Sequence, residues 1–121
     1  MNILVVDDSA LALLDFKRKI GQVNRSMHII YCETVDQAIA TLNEQSIDLA
    51  FVDLQMPEKN GADLIVYMES RDDLKKIPII IITATGEDSL LKTSLENKVS
   101  QYIHKPVLVE DLVKIIDRHA Q

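Results

Sequence analysis

The sequence predicts an α/β fold built on a parallel sheet, and two observations carry that prediction. Apolar runs of strand length alternate five times with amphipathic segments of helical period along the 121 residues. Such alternation gives a parallel sheet with helices on both faces and right-handed crossovers. The longest apolar run, Ile77 to Ile82, includes the consecutive isoleucines Ile79, Ile80, Ile81 and Ile82, as expected of a strand buried on both sides. The length suits a single domain spanning 1–121 with one hydrophobic core.

The first strand is predicted at Asn2–Val6 and the first helix at Ala10–Val23. Ala12, Phe16, Ile20 and Val23, with Leu13 beside them, share one helical face and should pack on the sheet. Leu11 and Leu14 point nearly the opposite way, flanked by Lys17 and Arg18. They read either as scattered surface leucines or as a small contact surface beside the loop after strand one. The second strand is predicted at His28–Cys32, followed by a helix at Val35–Gln45. Cys32 is the one cysteine, so there is no disulfide framework and no Cys-type zinc site, and it reads as a small buried residue. The third strand, Leu49–Val52, runs into Asp53, and a helix is predicted at Ala62–Ser70. After the fourth strand, Ile77–Ile82, come a helix at Asp88–Asn97, a fifth strand at Gln101–His104 and a last helix at Leu108–Ala120. In that helix Leu108, Leu112 and Ile115 form a predicted core stripe. Val109, Val113 and Ile116 widen it, through core packing or through contact with a partner or second copy.

The bulk composition narrows the function classes. Hydrophobic residues at 47% and charged residues at 26% are ordinary for a globular domain. A net charge of -6 without a basic cluster argues against direct binding of nucleic acid, and an acidic balance suits a cation site. No signal peptide precedes the first strand, and no apolar run reaches the roughly 18 residues of a membrane span, so a cytoplasmic protein is expected. No linker, repeat or low-complexity tract interrupts the pattern.

In a parallel sheet every strand presents its carboxyl end on the same edge, where ligands bind at the reversal of strand order. Strand one ends in Asp7 and Asp8, strand three in Asp53, strand four in Thr83, and strand five leads into Lys105 and Pro106. Taken singly, Asp53 is more often a strand terminus or helix cap, and Asp7 with Asp8 reads equally as a strand end followed by a cap at Ser9. Together they read differently. Three clustered carboxylates repel one another unless some are protonated or a divalent cation sits among them. Oxygen-only ligands favour magnesium. A carboxylate is also a nucleophile toward phosphorus, a transfer catalysed mainly by positioning and charge neutralisation. Lys105 is a compact charge able to reach a phosphoryl oxygen, and Thr83 offers a hydroxyl donor to another.

With these residues in view the chain resembles a response-regulator receiver domain, the phospho-accepting module of two-component signalling, over essentially its whole length. The matching motifs are Val5, Val6, Asp7, Asp8 and Ser9; Asp53, Leu54, Gln55, Met56 and Pro57 with Gly61; Ile82, Thr83 and Ala84; and Tyr102, Ile103, His104, Lys105 and Pro106. The resemblance implies a flavodoxin-like fold of five βα units in strand order 2-1-3-4-5, an order the chemotaxis member of the family exemplifies. It implies that Asp53 takes a phosphoryl group from a histidine kinase or histidine phosphotransfer protein. Asp7, Asp8, Asp53 and the backbone carbonyl of Gln55 would hold Mg2+ or Mn2+. Lys105 and Thr83 would stabilise the phosphoryl group, with a cis bond from Lys105 to Pro106. Thr83 and Tyr102 would act as the switch, coupling the site to the surface of the fourth helix, fifth strand and fifth helix. That surface would serve a downstream target, an output domain of a longer chain or a homodimer. Pro57, Gly61 and Pro106 would shape the loops, and Gln55 and Thr85 would tune dephosphorylation. The chain is then a signalling switch rather than an enzyme, assisting only its own phosphorylation and dephosphorylation. Starting at strand one and stopping after the fifth helix, it fits either a free-standing receiver or part of a longer regulator.

Other classes fit less well. An aspartyl-nucleophile phosphohydrolase needs a second acid two residues after the first, where Gln55 stands. A flavin binder of the same fold needs a hydroxyl- and glycine-rich loop after strand one, where Asp7 and Asp8 would repel its phosphate. A phosphorylation-independent interaction module would have lost one of the key residues, and all are present. One departure from the family stands out. Lys98 and Val99 occupy a turn that usually carries Gly-Ala, and Lys98 lacks glycine's freedom at positive φ, which Asn97 would supply instead.

Overall fold

In the computed structural model, which describes residues 1–54, 60–83 and 99–120, alternation along each strand sorts the core into two layers. The elements are β1 (Asn2–Val6), α1 (Ala10–Ile20), β2 (His28–Cys32), α2 (Val35–Glu44), β3 (Leu49–Asp53), α3 (Gly61–Glu69), β4 (Ile79–Thr83), β5 (Gln101–His104) and α4 (Val109–His119). The strands form one parallel sheet in the order β2-β1-β3-β4-β5. The predicted helix at Asp88–Asn97 lies outside the described residues, as do Lys98 and Asn97. Among the described residues no helix is long and apolar enough to cross a membrane.

Because strand side chains point alternately to opposite faces, β1, β3 and β4 feed both layers. Leu4, Val6, Ala50, Val52, Ile79 and Ile81 pack beneath α2 and α3, against Ala38, Leu42, Leu64, Ile65 and Met68. Ile3, Val5, Leu49, Phe51, Ile80 and Ile82 pack beneath α1 and α4, against Phe16, Ile20, Leu112, Ile115 and Ile116. Phe16 meets Phe51 edge to face, with ring centroids 5.0 Å apart. Cys32 is buried, as its place in an apolar strand predicts.

Several predicted boundaries shift, each for a local reason. The first helix stops at Ile20 rather than Val23, with the poor helix former Gly21 as its cap. The chain tightens there through bonds from Gln22 N to Lys19 O and Val23 N to Ile20 O, and Val23 is still buried. The fourth strand begins at Ile79 rather than Ile77 because Ile77 N is taken by Leu74 O in the preceding turn and Pro78 has no N–H. The predicted core role of Leu108 is corrected. Leu108 is the extended N-cap residue of α4 (φ -101, ψ 139) and is 48% exposed, while Val107 is buried. The widened stripe of that helix is largely absorbed by packing, since Ile116 is fully buried and Val113 lies against the α1–α4 layer. Leu11 and Leu14 stand out from α1 at 79% and 64% exposure.

Candidate functional site

The register of the sheet brings the chemistry together. Val6 pairs with Val52 and with Cys32, Asp53 with Ile82, and Thr83 with His104, so the residues ending these strands lie in one row across the carboxyl edge. Asp7 N donates to Cys32 O at 3.0 Å, which extends the β1–β2 pairing by one residue and anchors the aspartate backbone. Its side chain is fixed from both sides. Ser9 N donates to Oδ1 at 2.9 Å, and Lys105 Nζ lies 3.0 Å from Oδ2. Asp7 and Asp53 are buried, and Asp8 is exposed.

Asp53 closes β3, and the chain returns over it at the start of α3. Gly61 N donates to Leu54 O at 3.2 Å, and Asn60 and Asp63 form a reciprocal capping box. The approach is so close that a Cβ on Gly61 would collide with the Asp53 carbonyl oxygen and lie 2.9 Å from Val52 Cγ1. Gly61 is therefore required by proximity to the backbone of Asp53, a sharper role than that of a turn residue.

Lys105 spans the site. Its N–H donates to Thr83 O at 2.9 Å, while its Nζ sits 3.0 Å from Asp7 and 3.6 Å from Asp53 Oδ2. Burial works against its charge. The hydrogen bond to Asp7 and the negative charges of Asp53 and Asp7 outweigh that cost and raise its pKa above the ordinary value. The peptide bond to Pro106 is cis. Thr83 is fully buried at the end of β4, and Tyr102 packs on the α2–α3 layer.

Carboxylate oxygens of Asp7, Asp8 and Asp53 come within 4.8 Å of one another. Among the described residues, three carboxylates, two of them buried, stand against the ammonium of Lys105, which leaves excess negative charge. An all-oxygen set of that kind fits a hard divalent cation. Gln55, Pro57 and Thr85, singled out from the sequence, lie outside the described residues. Sequence reasoning marked Ser9 as a helix cap but missed its N–H as a partner of Asp7, and it missed the Cys32 carbonyl altogether. Backbone partners carry no side-chain signature; only the Asp-Asp-Ser spacing hinted at the first.

A cleft of about 400 Å3 opens beside the cluster, between α1 and the segment after β5, lined by Leu11, Leu13, Phe16, Ile82, Lys105 and Pro106. A larger one of about 590 Å3, with Met1, Arg25, Asp48 and His119 on its walls, lies at the far end of the sheet, away from the carboxylates.

Comparison with known proteins points to one family. The family model of the response regulator receiver domain matches residues 3–117. The chemotaxis protein CheY1 of Helicobacter pylori is 33% identical over 107 residues, covering 88% of this chain and 86% of that protein. The sensory transduction protein LytT of Enterococcus faecalis is 27% identical over 118 residues. The alignment takes in 98% of this chain but 47% of LytT, so the chain spans about half the length of that relative. A CheY-like receiver domain protein from Methanospirillum hungatei superposes with a TM-score of 0.79 at 26% identity, covering 94% of this chain and 89% of that one.

Proposed function

Since the chain belongs to the response-regulator receiver domain family, we propose that Asp53 is its phosphoryl acceptor and that residues 1–121 work as one receiver unit. One observation carries this reading. A buried carboxylate ends the central strand with a lysine ammonium 3.6 Å away and two further carboxylates alongside.

A carboxylate oxygen of Asp53 attacks the phosphorus of a phosphohistidine on a histidine kinase or phosphotransfer protein. The O–P bond forms as the P–N bond breaks, and the donor imidazole leaves with that electron pair. Lys105, held protonated by its acidic neighbours, moves its charge onto a phosphoryl oxygen. The Thr83 hydroxyl donates to another. Asp7, Asp8 and Asp53, joined by the Gln55 carbonyl, would hold Mg2+ or Mn2+, whose charge offsets that of the entering phosphoryl group. Gln55 and Thr85 govern the access of water to the acyl phosphate, and Pro57, Gly61 and Pro106 shape the loops around it. The protein is changed by the transfer and does not turn over a substrate: it is a switch, cytoplasmic as receiver domains generally are.

The phosphodonor protein docks on the exposed Leu11 and Leu14 and enters the cleft beside Lys105 and Pro106. Thr83 and Tyr102 pass the change to the surface of β5, the C-terminal helix and the segment between Thr83 and Val99. That surface contacts a downstream protein, an output domain or a second copy.

Beryllofluoride with Mg2+, which stands in for the phosphoryl group, tests the acceptor. Backbone NMR signals around Thr83 and Tyr102 should move in the wild type and stay in place in Asp53→Asn. A full response in Asp53→Asn would show that another residue is the acceptor.

A further inference from the structure

Ser9 links the start of α1 to the acidic cluster at the sheet edge. Its Oγ accepts from Ala12 N at 3.2 Å and its carbonyl accepts from Leu13 N at 3.0 Å, closing the first turn of α1. Its own N–H donates to Asp7 Oδ1 at 2.9 Å. The Asp7 backbone is already tied to Cys32 O, and its Oδ2 faces Lys105. With Oδ2 held by Lys105, the Ser9 N–H on Oδ1 completes the hold on the rotation of the carboxylate. That N–H belongs to the N-cap residue itself, whose extended backbone (φ -91, ψ 115) the cap stabilises, so the closed turn and the bond to Asp7 share one anchor.

We propose that Ser9 is a positioning residue: by closing the first turn of α1 it holds the Asp7 carboxylate in the orientation in which the acidic cluster takes a cation. The role rests on reading Asp7, Asp8 and Asp53 as a divalent cation site. Loss of the hydroxyl frays the turn, releases the Ser9 amide and lets the carboxylate turn toward Lys105 alone. The linkage is reciprocal, so a cation on Asp7 steadies the same turn that carries Leu11 and Leu13 into the cleft.

The test is a Mg2+ titration of the full chain followed by backbone amide NMR in the wild type, Ser9→Ala and Ser9→Thr, with melting temperatures measured alongside. Ser9→Ala should weaken Mg2+ binding about fivefold, the factor that corresponds to a lost helix cap, and Ser9→Thr, which keeps the hydroxyl, should restore it. The Ser9 amide resonance should also lose its response to Mg2+ in Ser9→Ala. If that variant does not fold, Ser9→Gly removes the hydroxyl at smaller cost to the cap and is expected to weaken binding in the same direction. A Ser9→Ala chain that melts lower yet binds Mg2+ within about twofold of wild type would reduce Ser9 to a structural cap and overturn the proposal. A wild type without saturable Mg2+ binding overturns the cation reading itself, and the proposal with it.

Discussion

The two faces of the sheet meet at its carboxyl edge with different equipment. On the side of α1 and the C-terminal helix, the rows Ile3–Val5, Leu49–Phe51 and Ile103 continue into Asp7, Asp53 and Lys105. On the side of α2 and α3, the row Ile79–Ile81 continues into Thr83, and Tyr102 packs against that layer. The two buried carboxylates and the lysine therefore lie on one side, and the hydroxyl and aromatic proposed to report on them lie on the other. The backbone bond from Lys105 N to Thr83 O, at 2.9 Å, joins them. Strand alternation alone can thus separate a chemical centre from its relay, without a second domain.

The largest expected effect comes from the charged side. Asp53→Asn should abolish phosphoryl acceptance from a small-molecule acyl phosphate in Mg2+, read as loss of the phosphoryl mass increment on the intact protein. Acceptance at the wild-type rate would move the chemistry off this face. Next comes Thr83→Ala on the opposite face. It should slow acceptance far less than Asp53→Asn does, through loss of one hydrogen bond to the phosphoryl group, but remove most of the beryllofluoride-induced shift at Tyr102, so that chemistry and relay come apart. If acceptance falls as far as in Asp53→Asn, the division between faces fails.

Lys105→Met should lower stability without added cation by roughly 2 kcal/mol, because it strips the counter-charge from two buried carboxylates. Saturating Mg2+ should narrow the deficit. The same residue sets a pH signature. Its pKa is raised over the ordinary 10.5, so its contribution is whole below about pH 10.5 and is lost as pH rises through the folded-state value. Denaturant unfolding across the alkaline range should show a decline in the wild type that Lys105→Met flattens. The smallest effect on the fold is at Leu14, 64% exposed, where Leu14→Ser should change stability by no more than about 0.5 kcal/mol. It should nevertheless slow transfer from a phosphohistidine protein while leaving the small-molecule donor unaffected. Equal slowing of both donors would remove α1 from the docking surface.

Much of this was legible in the sequence because it depends on periodicity and on parallel direction. The runs at Asn2–Val6, His28–Cys32 and Gln101–His104 are strands over those same residues, and parallel strands bring Asp7, Asp53, Thr83 and Lys105 to one edge whatever the details of packing. Leu108 shows where periodicity stops informing. It has the spacing of the core stripe but stands just before the first helical turn, where the backbone is extended and the helical angle no longer sets its direction. The Ser9–Asp7 bond was only hinted at for a related reason, since it is made by a main-chain amide whose aim depends on how the chain turns through Asp8. Gly61 was legible as a loop residue, but the near-collision with the Asp53 carbonyl exists only once α3 is laid over the end of β3.

The register of β3 carries a further consequence, for how this chain tolerates change in length. Asp53 owes its side of the sheet to the parity of five residues, Leu49 to Asp53. A single insertion or deletion inside that segment, with pairing to β1 and β4 otherwise kept, would turn the carboxylate toward α2 and α3 and present an apolar neighbour in its place. The composition and the motif would be nearly unchanged, and the chemistry would be gone. Length variation in descendants of this chain should therefore gather in the loops at the opposite end of the sheet, around Asn24 to Met27, and spare β1 and β3.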